Sequence, residues 1–207
     1  EQEWVLIALV VGVAVFLPMF GAMMLITSRD SALFVASFPS NTGGPYIESF
    51  PPYYGPFPEE SPPLASCPVS SAPITQKPFG DFSHEGVCAY DFGSQRGALV
   101  YATHDGCVAA LRSDVPNDTF IEGEFGNYVR LAGTSPAGHY YTIYAHLVQG
   151  SGLSAGSCVK AGDIIGRVDT TGFTFDSTGR RGGGTHLHYQ YNDDQKTCPS
   201  LPEGCGY

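Results

Sequence analysis

Near its C-terminal end the chain reads Thr185-His186-Leu187-His188-Tyr189, and upstream it carries His84, Asp91 and the string Tyr144-Ala145-His146-Leu147. Imidazole and carboxylate are the ligand types of hydrolytic zinc sites, where three protein ligands leave a fourth position for water. Residues two apart on a β-strand point to one face, so His186 and His188 can enter a single cleft side by side; a helix would not allow this. His84, Asp91 and His188 then supply three ligands. No His-Glu-x-x-His string occurs, which excludes the helical zinc-protease arrangement.

In that order these residues resemble the lysostaphin/LytM-type zinc endopeptidases, which cut peptide bonds in bacterial peptidoglycan. The similarity runs from about Phe79 to Tyr191. It includes the strings Ala89-Tyr90-Asp91-Phe92-Gly93, Asp105-Gly106-Cys107-Val108, Gly126-Asn127-Tyr128-Val129 and Val159-Lys160-Ala161-Gly162-Asp163-Ile164-Ile165-Gly166. By motif position the resemblance implies that His84, Asp91 and His188 bind Zn2+ and that His146 and His186 are the catalytic pair flanking the reacting water. One of that pair would take the water proton and the other would donate to the developing oxyanion, the order being unreadable from sequence. The family's commonest spacing is His-x-x-x-Asp, whereas here the two ligands lie seven positions apart. The intervening loop therefore takes a longer route through Gly86 and Cys88. His104 and His139 fall outside these strings and are expected to be ordinary surface or turn residues.

The elements that must position this set are short β-branched and aromatic runs separated by Gly and Asp: Ala98–Ala102, Cys107–Leu111, Tyr128–Ala132, Tyr140–His146, Ile164–Val168 and Thr185–Tyr191. Such a pattern predicts a mainly β domain. The resemblance implies a compact antiparallel sheet with the site in a groove on one face. Gly182-Gly183-Gly184 before the His-x-His strand would let backbone approach closely. The segment Val159 to Val168 also looks like a turn of a lipoyl-type carrier, but Lys160 sits in a Val-Lys-Ala-Gly turn rather than at an exposed hairpin tip. A carrier would leave the His-x-His strand unexplained, so the shared string is fold-level similarity.

The 207 residues divide by composition into an apolar N-terminal segment (1–28), a Pro- and aromatic-rich linker (29–78), the peptidase-like β domain (79–191) and a Cys-containing tail (192–207). From Trp4 to Thr27 there is no charge, and about twenty such residues span a bilayer core as a helix. The run is too long, and lacks the basic leader, for a cleaved signal peptide. The chain is expected to be single-pass, with its C-terminal domain periplasmic or extracellular, although Arg29 after the span runs slightly against the positive-inside count. Position 1 is not Met, which we read as a sign that residues precede it. Eleven of the sixteen prolines fall between Ser37 and Pro78, interleaved with Phe38, Tyr46, Phe50, Tyr53, Tyr54 and Phe57. An extended tract of that length could reach ~130 Å. So many rings also suit docking on a partner surface.

Twenty acidic against ten basic residues give a net charge of −10, which argues against a nucleic-acid partner. Six cysteines without a Cys-x-x-Cys pair suggest disulfides and an oxidising compartment rather than a metal cluster, with every connectivity open and Cys198 and Cys205 able to close a C-terminal loop. Two functions follow. One is a membrane-tethered zinc endopeptidase acting on peptidoglycan peptides. The other is a non-catalytic domain of the same fold serving as an extracytoplasmic subunit alongside integral membrane proteins.

Overall fold

Nine strands follow one another: β1 (Ile74–Gln76), β2 (Ala89–Gly93), β3 (Leu99–Tyr101), β4 (Gly106–Arg112), β5 (Tyr128–Ser135), β6 (Gly138–Ala145), β7 (Cys158–Val159), β8 (Ile164–Arg167) and β9 (His186–Asp193). This computed structural model describes residue 50, residues 52–193 and residues 198–206. The apolar run expected to cross a membrane, and the linker up to residue 49, lie outside them. Among the described residues no helix is long and apolar enough to cross a membrane. Seven strands form one sheet in the order β1-β2-β9-β6-β5-β4-β7, every pair antiparallel, while β3 and β8 form a second, two-stranded sheet. Each of the six strands expected from sequence is present within a few residues of its expected bounds. The two- and three-residue strands β7 and β1 are too short to show a periodic pattern.

Alternation along β9 and β6 divides the large sheet into two chemically different faces. Leu187 and Tyr189 point with Val129, Leu131 and Tyr144 into the main apolar cluster, closed by Phe92, Val100, Val108, Leu147, Ile165 and Val168. His186, His188 and Gln190 take the other positions of β9, with Ala145 and Ile143 opposite His188 and Gln190 on β6. The same sheet thus buries a core on one side and carries the motif histidines on the other.

A polar network runs through the apolar side. The backbone N–H of Thr103 donates to the Tyr144 hydroxyl at 2.9 Å, and the hydroxyls of Thr103 and Tyr189 donate to the Pro63 carbonyl at 2.8 and 3.1 Å. His104 joins it, contrary to the surface or turn position expected from sequence. The residue is fully buried; Nδ1–H donates to the Asp105 carbonyl at 2.8 Å and Nε2 accepts from Thr142 Oγ1 at 2.8 Å. Its side-chain partner Thr142 comes from β6, 38 positions away, so nothing near it in sequence signals burial. His139 is exposed, as expected, and stacks on Phe57 at 3.8 Å between ring centroids.

The described end of the Pro-rich segment packs on the domain itself. Phe50 lies 5.4 Å from Tyr128, and the Arg130 guanidinium sits between Phe50 at 4.6 Å and Tyr141 at 3.7 Å. Leu64, Val69 and Ala72 enter the main cluster and Ile74–Gln76 pairs with β2, so the core takes in residues before the domain start expected at 79. All six cysteines are paired, as Cys67–Cys205, Cys88–Cys198 and Cys107–Cys158. The Cys198–Cys205 loop, one of the pairings the sequence leaves open, does not form. The tail instead spreads along the domain: Cys198 packs near Tyr140 and Tyr191, the Pro199 carbonyl accepts from the Tyr90 hydroxyl, Leu201 packs against the main cluster, and Cys205 bonds Cys67.

Burial pushes the His104 imidazole down to about 4 from 6.5. Between those values the unfolded chain takes up a proton that the folded chain refuses, so stability falls as pH drops through this window. From this group the fall should be ~3 kcal/mol, read by denaturant unfolding at pH 7 and pH 4. A His104→Gln variant should be less stable at pH 7 yet lose less on acidification; equal losses in the two proteins would contradict the assignment.

Candidate metal centre

The site grows from direct strand pairing. Asp91 on β2 and His188 on β9 are cross-strand partners, and Ala145 at the end of β6 pairs with His188 from the other side. His84 reaches the same point from the loop before β2, where its carbonyl accepts from Val87 N–H at 3.0 Å and Val87 in turn accepts from Phe79 N–H. The longer His84 to Asp91 route is therefore a hydrogen-bonded loop, pinned by the Cys88–Cys198 bridge. His146 follows β6 directly. It adopts a positive φ of 61°, an uncommon conformation for a residue with a Cβ, held by its N–H on the Phe125 carbonyl and its carbonyl under Asp169 N–H. A Cβ at Gly184, whose φ is +68°, would strike the Phe175 carbonyl. Only glycine lets the chain pass this closely before β9.

All five expected site residues come together. His84 Nε2 lies 3.2 Å from Asp91 Oδ1, His188 Nδ1 lies 3.0 Å from the same oxygen, and the two nitrogens are 3.4 Å apart. His186 Nε2 is 3.7 Å from Asp91 Oδ2, and the His146 and His186 rings are 4.8 Å apart. His84, His146 and His188 are fully buried, while His186 is partly exposed.

Each imidazole is oriented by an oxygen at its outward nitrogen. His84 Nδ1–H donates to the Lys77 carbonyl at 3.1 Å, His146 Nδ1–H to the Thr171 carbonyl at 2.8 Å and His186 Nδ1–H to the Gly184 carbonyl at 2.5 Å. His188 is turned the other way, its Nε2–H donating to Gln190 Oε1 at 3.2 Å. In a neutral ring with its one proton on the outward nitrogen, the inward nitrogens of His84 and His188 have lone pairs to offer a cation. With the Asp91 carboxylate they make three ligand atoms meeting at one buried point. Burial alone would raise the Asp91 carboxyl, but the surrounding His186, His188 and His84 imidazoles outweigh it and hold it well below the carboxylate range. Burial, together with His186 and His188, holds His146 well below its ordinary value, and burial lowers His188 against the pull of Asp91.

Such a cluster calls for a cation. Bonds of ~2.0–2.1 Å in a tetrahedral zinc shell require ligand atoms about 3.3 Å apart, and the observed edges of 3.0, 3.2 and 3.4 Å meet that requirement. Two imidazoles and one carboxylate are also a donor set zinc accepts, so the residues fit the ion. Sequence reasoning missed Gln190 and the Lys77, Thr171 and Gly184 carbonyls. Gln190 was within reach, since it stands two places beyond His188 on the same strand face; the carbonyls carry no residue-type signal.

Residues 83–199 match the family described as Peptidase family M23. Among solved structures, Helicobacter pylori Csd3 is 26% identical over 70% of this chain and 35% of its own, with a TM-score of 0.45. A zinc containing peptidase from Vibrio cholerae is 24% identical over 69% of this chain and 41% of its own, with a TM-score of 0.47. The catalytic domain of lysostaphin from Staphylococcus simulans is 22% identical over 61% of this chain and 77% of its own, with a TM-score of 0.38. The chain thus spans less than half of the first two. No curated protein matches it.

Purified chain should hold close to one zinc per molecule by elemental analysis, and His188→Ala should hold almost none, because two donors on a buried acidic site bind far more weakly than three. Full zinc retention by His188→Ala would contradict this ligand set.

Proposed function

We propose that this chain, which belongs to Peptidase family M23, is a zinc-dependent endopeptidase that hydrolyses peptide cross-links of bacterial peptidoglycan from a membrane anchor formed by Trp4 to Thr27. The observation that carries the proposal is the meeting of His84 Nε2, Asp91 Oδ1 and His188 Nδ1, three ligand atoms at one buried point, beside the His146 and His186 rings. Zinc on these three residues would supply Lewis acidity for the scissile carbonyl and lower the pKa of an attacking water.

The chain's own residues divide the proton work. His146 is buried and held neutral, with its proton fixed on Nδ1 by the Thr171 carbonyl. Its inward Nε2 is therefore the acceptor for the water proton. His186 is partly exposed at the groove with its Nε2 turned inward, 3.7 Å from Asp91 Oδ2; as the ring on the open side of the site, it is the donor to the developing oxyanion. The strained backbone at His146 and the fixed Gly184 carbonyl set both rings before substrate arrives. The paired cysteines suit an extracytoplasmic location. The alternative, a non-catalytic membrane-complex subunit, draws on the aromatic linker, the acidic charge and the long His84 to Asp91 spacing; of the linker rings, Phe50, Tyr53 and Phe57 pack on the domain's own Tyr128, Arg130, Tyr141 and His139.

Zinc-loaded chain should release peptide termini from isolated cell walls. Changing His146 or His186 to Ala should lower turnover by about 10²–10⁴-fold while zinc content stays near one per chain. Zinc-loaded chain that leaves every wall preparation intact, and is recovered in a fixed ratio with integral membrane proteins, would replace the enzyme reading with the subunit reading.

A further inference from the structure

We propose that Gln190 is a positioning residue that holds His188 in the tautomer a metal ion needs, an inference that rests on the zinc-site reading above. Four imidazoles surround the site, and each is fixed by an oxygen on its outward nitrogen. Three of those oxygens are backbone carbonyls, of Lys77, Thr171 and Gly184, which no side-chain change removes. The fourth belongs to a side chain, Gln190.

Gln190 is 1% exposed and flanked across the sheet by the apolar residues Ala89 and Ile143. Its amide is used at both ends: Oε1 accepts from His188 Nε2–H at 3.2 Å and Nε2 donates to Asn192 Oδ1 at 3.0 Å. His188, Gln190 and Asn192 stand at every second position of β9 and make one line along the site face. The second bond turns the amide so that its oxygen faces the ring. In the opposite tautomer the His188 Nε2 lone pair would face that oxygen, two acceptors in contact. The proton would then sit on Nδ1, directed at Asp91 Oδ1 3.0 Å away, in the place a cation must take. Partners of this kind are worth about 10–100-fold in metal affinity elsewhere.

The test compares the full chain with Gln190→Leu, which removes the acceptor, and Gln190→Glu, which keeps one. Zinc affinity is measured by competition with a chromophoric chelator, and imidazole protonation by 15N NMR. Gln190→Leu should bind zinc about 10–100-fold more weakly, and its zinc-free His188 should show mixed tautomers. Gln190→Glu should bind at least as tightly as the unaltered chain, with the His188 proton on Nε2. Thermal melting of the zinc-free proteins reports folding separately. Unchanged affinity in Gln190→Leu, or equal weakening in both variants, would overturn the proposal while leaving the zinc site standing. An unaltered chain that binds no zinc would overturn both.

Discussion

Three ligand atoms from three separate segments are brought within 3.4 Å of one another at a buried point, and much of the molecule is arranged around that meeting. Buried acceptors in contact repel, and a buried carboxylate is costly without a compensating charge. The chain answers with direct cross-strand pairing of Asp91 and His188, which leaves little freedom to move apart, and with an oxygen partner behind each ring. What remains is an attraction for a cation. Orientation and affinity therefore have one origin.

The sheet serves this site because alternation lets one strand do two jobs. On β9, Leu187 and Tyr189 fasten the strand into the core while His186, His188 and Gln190 face the other way. A shift of one residue in register would exchange the two sets, so the apolar core and the metal-binding face specify each other. Around this sheet the described residues contain no helix, and three disulfides tie the Pro-rich entry to the tail, the ligand loop to the tail, and β4 to β7. Cys88 links the anchoring to the chemistry, for it lies inside the His84 to Asp91 loop that exceeds the family's commonest spacing.

The strands and the five residues at the site were legible because their signals are local: β-branched runs, a His-x-His pair of period two, and glycine-marked turns. The relations that a single strand cannot encode were not legible. His104 looks like a turn residue until Thr142, 38 positions away, supplies its partner. Cys198 and Cys205 look like neighbours until Pro199 and Leu201 are seen holding the tail against the domain between them. The rings of Phe50, Tyr53 and Phe57 resemble a surface seeking a partner, and composition could not tell that the nearest surface is the chain's own β5 and β6. Backbone carbonyls that orient rings carry no residue identity at all.

X-ray absorption at the zinc edge of the loaded protein tests the central claim most directly. The account predicts a first shell of nitrogen and oxygen only, at about 2.0–2.1 Å, with the outer scattering of two imidazole rings. A sulfur contribution near ~2.3 Å, or a shell with one imidazole or none, would contradict it.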